Sequence, residues 1–160
     1  MKELVVIAEK EELKLVKELG FDLYPVLITG VGALNVIEAL KDIPKNTKII
    51  NIGYAGSKDL APGKFYKVDF VTLNHPNVSY FEEKYDLRDL NPYGSTLFSQ
   101  FEEKTCYTGC DFVLKTELGN CLFDMELAFI AALGFKDIIA LKYVSDNLDL
   151  QEYRHTLNEK

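Results

Sequence analysis

The chain reads as an α/β protein, a single domain in three layers (α/β/α) around a mixed, mainly parallel twisted sheet. Three observations predict this. Apolar runs of strand length alternate with segments of helical period. Several of those runs end in small or acidic residues, where strand–turn–helix units place their turns. And 160 residues, 48% hydrophobic and 27% charged, are enough to bury a core without disulfides or metals, so one domain over residues 1–160 suffices.

In chain order, Leu4 to Ala8 is an apolar run with the composition of a central strand. It passes directly into a helix in which Leu13, Val16 and Leu19 recur at helical spacing and Gly20 marks the stop. Glu9, Glu11 and Glu12 open that helix, where acids favour the positive end of the helix dipole. A functional role needs one of them to point back over the strand end. Tyr24 to Thr29 reads as a second strand, Thr29-Gly30-Val31-Gly32 as a glycine turn, and the helix beyond it runs to about Leu40. Such a turn brings backbone N–H groups close to an anion or a ribose, although tight packing of helix on strand needs glycine equally.

Lys48 to Ile52 is a third strand, and the stretch from Asn51 through Gly56 reads as a further turn of small residues at its end. Phe65 to Leu73 is one strand or two, introduced by the Pro62-Gly63 turn. His75 to Lys104 is irregular, with Tyr80, Phe81, Tyr85 and Tyr93, and reads as a lid or insert. Thr105 to Thr108 is extended, and Leu122 to Leu133 reads as a helix stopped by Gly134. The final strand opens at Asp137 and ends at Ser145-Asp146-Asn147, small polar residues that cap turns and start helices. A short acidic helix ends the chain. Ligands of open α/β sheets bind beyond the carboxyl ends of strands, so Asp146 stands where a catalytic carboxylate is expected.

A net charge of −7 argues against nucleic acid, which demands clustered cations. No apolar run reaches the roughly 18 residues of a membrane span, and the first strand begins too close to Met1 for a leader, so a cytoplasmic protein is expected. Cys106, Cys110 and Cys121 lack a Cys-x-x-Cys pair, and His75 and His155 stand alone. Neither a zinc site nor a disulfide framework is expected.

Three acidic points fall at strand ends or helix starts: Glu12, the triplet Asp124-Met125-Glu126, and Asp146. Carboxylates converging on one pocket suit cleavage of a glycosidic bond through a cationic sugar. One acid protonates the leaving group, another orients a water, and a third holds sugar hydroxyls.

The order of Thr29-Gly30-Val31-Gly32, Asn51-Ile52-Gly53-Tyr54-Ala55-Gly56, Asp124-Met125-Glu126-Leu127-Ala128 and Val144-Ser145-Asp146-Asn147-Leu148-Asp149 resembles the nucleoside phosphorylase/nucleosidase superfamily. The resemblance spans nearly the whole chain and is strongest to the methylthioadenosine/S-adenosylhomocysteine nucleosidase branch. It implies a shortened nucleoside phosphorylase-like fold, a homodimer, no metal or organic cofactor, and a small-molecule purine nucleoside as ligand. It also implies roles. Asp146 would deliver a proton to the imidazole-ring nitrogen of the leaving purine, and Glu12 would hold the attacking water. Glu126 would bind the ribose hydroxyls with Met125 packed on the sugar. Phe112 would stack on the purine while the Val113 backbone reads its edge. The main chains of Ala55 and Gly56, with Ser145, would complete the pocket.

Hydrolase and phosphorylase differ in anion chemistry. Phosphorylases of the superfamily hold phosphate with arginines, whereas here the first turn is Ala8-Glu9-Lys10 and Asn51 stands where an arginine is usual. Arg88 and Arg154, the two arginines of the chain, fall on no matching motif. The expected function is therefore hydrolysis of a purine nucleoside. The alternatives are a phosphate-dependent phosphorylase and a catalytically weakened nucleoside-binding member. Tyr54 replaces a small hydroxyl residue, so its ring is expected near the sugar site; Cys110-Asp111 alters the approach to Phe112. The five-prime substituent is expected to be read by the segment His75–Lys104.

Overall fold

The computed structural model describes residues 2–74, 84–89 and 98–158. The chain opens with β1 (Glu3–Ile7), a 3-10 turn (Lys10–Glu12) and α1 (Leu13–Glu18). Gly20 ends this unit at φ +82°, a left-handed conformation in which glycine meets no Cβ penalty. Next come β2 (Val26–Ile28) and α2 (Ala33–Leu40), then two long strands, β3 (Lys48–Gly56) and β4 (Phe65–Leu73). β5 (Lys84–Asp86), β6 (Glu103–Thr108), β7 (Leu122–Asp124) and α3 (Leu127–Ala132) follow. β8 (Asp137–Asp146) and α4 (Leu150–Asn158) complete the described chain.

The α/β class and the mixed, mainly parallel sheet are both present. β1 pairs in parallel with β2 and β3, β3 with β8, and β6 with β4 and β7; β4–β5, β4–β8 and β3–β7 are antiparallel. The sheet also closes on itself, since β3, β8, β4, β6 and β7 form a ring with β7 returning to β3 at Gly56–Phe123. Strand–helix alternation carries no sign of this closure, which depends on non-local pairing of three-residue β7.

Alternating residues of the central strands feed two cores. Ile49 of β3 and Ile138, Ala140 and Val144 of β8 join Val36 and Leu40 of α2 and Leu127 and Ile130 of α3. Ile50 and Ile52 of β3 and Ile139 and Leu141 of β8 join Leu15 and Val16 of α1, with Tyr153 and Leu157 of α4 packed against them. β8 is buried almost throughout, as its apolar run demands.

Two expectations are corrected. Asn51 to Gly56 is not a turn: β3 continues through it, paired residue by residue with β8 up to a bulge between Ala55 and Gly56. Its small residues make room for side chains that lie on the strand. Leu122 to Leu133 is not one helix either. Leu122–Asp124 pairs with β6, and the helix starts only at Leu127, where Asp124 Oδ2 accepts the Leu127 N–H at 2.9 Å. The expected second strand is shortened to Val26–Ile28. Of the expected insert, residues 75–83 and 90–97 lie outside the described residues, including Tyr80, Phe81 and Tyr93.

Candidate active site

A cleft opens at the carboxyl ends of β1, β3 and β8, roofed by the 3-10 turn, the segment after β6, and α4. Glu12 is drawn back over the end of β1 by three backbone donors. Ala8 N–H and Glu9 N–H bond its Oε1 at 2.8 and 3.0 Å, and Tyr54 N–H bonds its Oε2 at 2.7 Å. Glu12 is 5% exposed, and burial raises its pKa against the opposing pull of Lys142 and the three N–H groups. Gly53 explains how the carboxylate reaches this position. A Cβ at Gly53 would stand 2.6 Å from Glu12 Oε2 and 3.4 Å from Lys142 Nζ.

Lys142 lies under the cleft. It pairs in register with Gly53 and shares the strand parity of Ala140 and Val144, so its ammonium enters the core. There it forms an ion pair with Asp124 Oδ2 at 3.0 Å, with both side chains within 1% of complete burial. Asp124 also accepts the Thr108 hydroxyl, which in turn accepts the Ala128 N–H at 2.9 Å. Burial opposes the Asp124 charge, but Lys142, the Thr108 hydroxyl and the Leu127 N–H outweigh it and lower the pKa. The carboxylates around Lys142 likewise outweigh burial and raise its pKa, keeping it cationic.

Glu126 occupies the residue before α3 and accepts the Gly32 N–H at 3.0 Å, which ties the glycine turn ahead of α2 to the cleft. Burial first, and the neighbouring Asp124 second, push its carboxyl up to about 8. Near neutral pH it therefore holds its proton most of the time.

Asp146 ends β8 and is 0% exposed. Its Oδ2 accepts the Ser145 hydroxyl at 2.6 Å and its Oδ1 accepts the Leu148 N–H at 2.9 Å. Burial raises its pKa, and these two donors moderate the rise. The bulge at Gly56 admits it, because a Cβ there would stand 3.0 Å from Asp146 Oδ1. Asn147 braces the turn by donating to the carbonyls of Ser57 and Leu60 at 2.9 and 2.8 Å.

All nine residues expected from the sequence line this one cleft: Asp146, Glu12, Glu126, Met125, Phe112, Val113, Ala55, Gly56 and Ser145. Tyr54 lines it too, but its ring packs edge-to-face on Tyr143 at 5.8 Å, within the core beneath α1 and α4. Asn51 does not line the cleft; it is buried at β3 and donates to the Val6 carbonyl at 3.0 Å. Arg88 is spent on Asp86 at 3.0 Å.

Sequence reading missed Lys142 and Tyr153, and left Glu9 among three helix-start acids without assigning it to the site. Lys142 had a signal, being a lone cation inside the apolar run Ile138 to Val144, where a charge must find a partner. Tyr153 had none, since only the turn of α4 over the cleft brings its hydroxyl to Glu9 Oε2 at 2.8 Å and its ring to Phe112 at 5.4 Å. Among the described residues, no group of three His, Cys, Asp or Glu side chains is arranged to hold a metal, and no helix is long and apolar enough to cross a membrane.

No protein-family model matches the sequence, and no curated protein matches it. Solved structures do. The 5′-methylthioadenosine/S-adenosylhomocysteine nucleosidase of Helicobacter pylori superposes with a TM-score of 0.71 at 18% identity, over 98% of this chain and 91% of that one. The S-adenosylhomocysteine nucleosidase of Streptococcus pyogenes gives 0.74 at 19%, over 98% and 89%. The futalosine hydrolase of Helicobacter pylori gives 0.70 at 18%, over 98% and 91%. The chain is similar to these proteins in fold along nearly its whole length.

Proposed function

We propose that this chain, which shares its fold with nucleosidases, is a purine nucleoside N-ribosyl hydrolase. The observation that carries the reading is the meeting of Glu12, Glu126 and Asp146 in one cleft, each held by different donors. A dissociative ribosyl transition state gathers positive charge on the sugar, and fixed carboxylates stabilise that charge in a partly dry site.

Each acid suits a different task. Burial raises the Asp146 pKa, the direction that suits an acid placed to protonate the imidazole-ring nitrogen of the departing purine. Ser145 and Leu148 aim the carboxyl and then stabilise the carboxylate left behind. Glu12 has one backbone donor on Oε2, which leaves that oxygen an acceptor site for the attacking water. The water oxygen bonds to the anomeric carbon as the bond to the base breaks, and its proton passes to Glu12. Glu126 takes the ribose hydroxyls and Met125 the sugar face. Phe112 supplies a stacking surface, with the Val113 backbone beside the base edge and Ala55 and Gly56 lining the strand wall.

Water is favoured over phosphate by charge. The described lining includes Glu9, Glu12, Asp111, Asp124, Glu126 and Asp146 and no Lys, Arg or His, while Lys142 beneath it is committed to Asp124. A phosphate dianion would find no free cation in that lining to hold it, and those of its acids that are ionised would repel it. Dimerisation fits the exposed apolar residues Ile28, Val31, Leu34 and Ile37, of which Leu34 is 85% exposed and Val31 also lines the cleft.

The test is a panel of adenosine, inosine, methylthioadenosine and S-adenosylhomocysteine assayed for free base with and without phosphate. Base release independent of phosphate is expected. Phosphate-dependent formation of ribose 1-phosphate selects a phosphorylase. No release at all selects a nucleoside-binding protein.

A further inference from the structure

The cleft has one polar pair that the hydrolytic mechanism leaves unused. Glu9 and Tyr153 line it together, joined by a 2.8 Å hydrogen bond from the phenol to Glu9 Oε2. The Glu9 N–H bonds Glu12, and the Tyr153 ring sits 5.4 Å from the Phe112 ring, so the pair spans the wall from the base platform to the water-holding acid. Burial and Glu9 together raise the Tyr153 pKa, so the phenol stays protonated and keeps donating.

The other polar lining groups have occupants. Asp146 and Ser145 serve the base, Glu12 the water, Glu126 the sugar hydroxyls, and Asp124 is held by Lys142 and Thr108. Asp111 is exposed at the rim beside Phe112. In a bound nucleoside the base leaves C1′, and the hydroxyls occupy C2′ and C3′. The group still unmatched is the one carried on C4′.

We propose that Glu9 and Tyr153 make the site selective for nucleosides whose 5′ group donates a hydrogen bond, the parent hydroxyl above all, over nucleosides with a 5′ thioether. A carboxylate offers about four acceptor positions and the phenol fills one of Glu9's, so a 5′ hydroxyl finds an acceptor already oriented. A thioether there strips water from a carboxylate and a phenol and returns no hydrogen bond. This inference rests on the nucleosidase reading for the placement of the sugar.

The test compares kcat/KM for adenosine, 5′-deoxyadenosine and methylthioadenosine in the wild type, Glu9→Met, Glu9→Gln and Tyr153→Phe. Wild type is expected to favour adenosine over 5′-deoxyadenosine by about 10- to 100-fold, the range of a hydrogen bond to a charged group. Glu9→Met should collapse that ratio and raise the relative rate on methylthioadenosine, Glu9→Gln should keep part of the preference, and Tyr153→Phe should narrow it. Ratios within one variant cancel any loss of folded protein. Equal or reversed preference in wild type, or an unchanged ratio in Glu9→Met, overturns the inference while base release still upholds the nucleosidase. If no nucleoside releases base, calorimetric Kd values for adenosine and 5′-deoxyadenosine decide. A Glu9-dependent preference for adenosine sustains the inference as the nucleosidase reading falls, and equal or absent binding ends both.

Discussion

Replacing Lys142 by Met tests whether the acidic cleft depends on its buried cation. Methionine matches the length of the stem and packs among the same β-strand neighbours, so the main change is the lost charge. Asp124 then remains 6% exposed beside Glu126, with the Thr108 hydroxyl and Leu127 N–H but no cation. Breaking a buried ion pair from one side costs about 3–5 kcal/mol, out of a total stability of roughly 5–15 kcal/mol. At about 2.1 cal/mol/K of unfolding entropy per residue, a chain of this length should lose about 9–15 °C in Tm. The loss should also depend on pH. In wild type the folded pKa of Asp124 is depressed, so its stabilisation is present above the unfolded pKa and is lost as pH falls through the folded value. In Lys142→Met burial dominates and the folded pKa lies above the unfolded one, so that contribution is lost as pH rises. The gap between the two proteins should therefore widen from pH 5 to pH 7.5. Scanning calorimetry across that range measures it, with Lys142→Arg as the charge-preserving control. A deficit under about 2 °C at pH 7.5 that does not change with pH would refute an obligatory charge partnership.

Asp146→Asn should reduce base release by about 10²–10⁴-fold while the Tm and much of the nucleoside affinity remain, read by chromatography of free base and by calorimetry. Glu126→Gln should change the pH dependence of stability. In the folded chain the Glu126 pKa is raised to about 8, above its unfolded value, so wild type loses that stabilisation as pH climbs toward 8 and the uncharged variant does not; parallel Tm curves of the two proteins from pH 5 to 9 would contradict this. Gly53→Ala should displace Glu12, because the new Cβ would stand 2.6 Å from an oxygen tied down by the Tyr54 N–H. A cost of about 1–3 kcal/mol is expected by chemical denaturation, with a fall in kcat larger than any rise in KM. Unchanged kinetics would mean that Glu12 has another place to go.

The legible part of the chain was the part written in local chemistry. The apolar run before Ser145-Asp146-Asn147 announced β8, and Gly20 announced the end of α1. The cleft residues were named because motifs, not periodicity, singled them out, and the structure brings all nine to one lining. What failed was assignment of short segments whose fate depends on distant partners. Leu122–Asp124 has the apolar spacing of the helix that follows it, yet β6 claims it for the sheet. Asn51 to Gly56 is rich in small residues for a tertiary reason, the carboxylates lying on it, which resembles turn chemistry when the strand is viewed alone. Lys142 was overlooked because its meaning lies in Asp124, eighteen residues away in sequence and 3.0 Å away in space.

The charge arrangement around Lys142 links these failures to the proposed chemistry. Glu12, Asp124 and Glu126 all act electrostatically on one ammonium in a setting with little water. One cation cannot neutralise three anions there, and each acid meets the deficit differently. Asp124 takes the cation itself, Glu12 takes three backbone N–H groups, and Glu126, with a single backbone donor, keeps its proton to about pH 8. The resting cleft thus holds latent negative charge next to the place proposed for the sugar. Positive charge developing there would be stabilised by the Glu12 carboxylate and the carboxyl oxygens of Glu126 without any reorganisation of the chain. Phosphate gains nothing from the same arrangement, because each further ionisation increases the repulsion it meets. The glycines of β3 set the geometry of all of this, since only a strand without side chains at positions 53 and 56 lets Glu12 and Asp146 lie against its backbone.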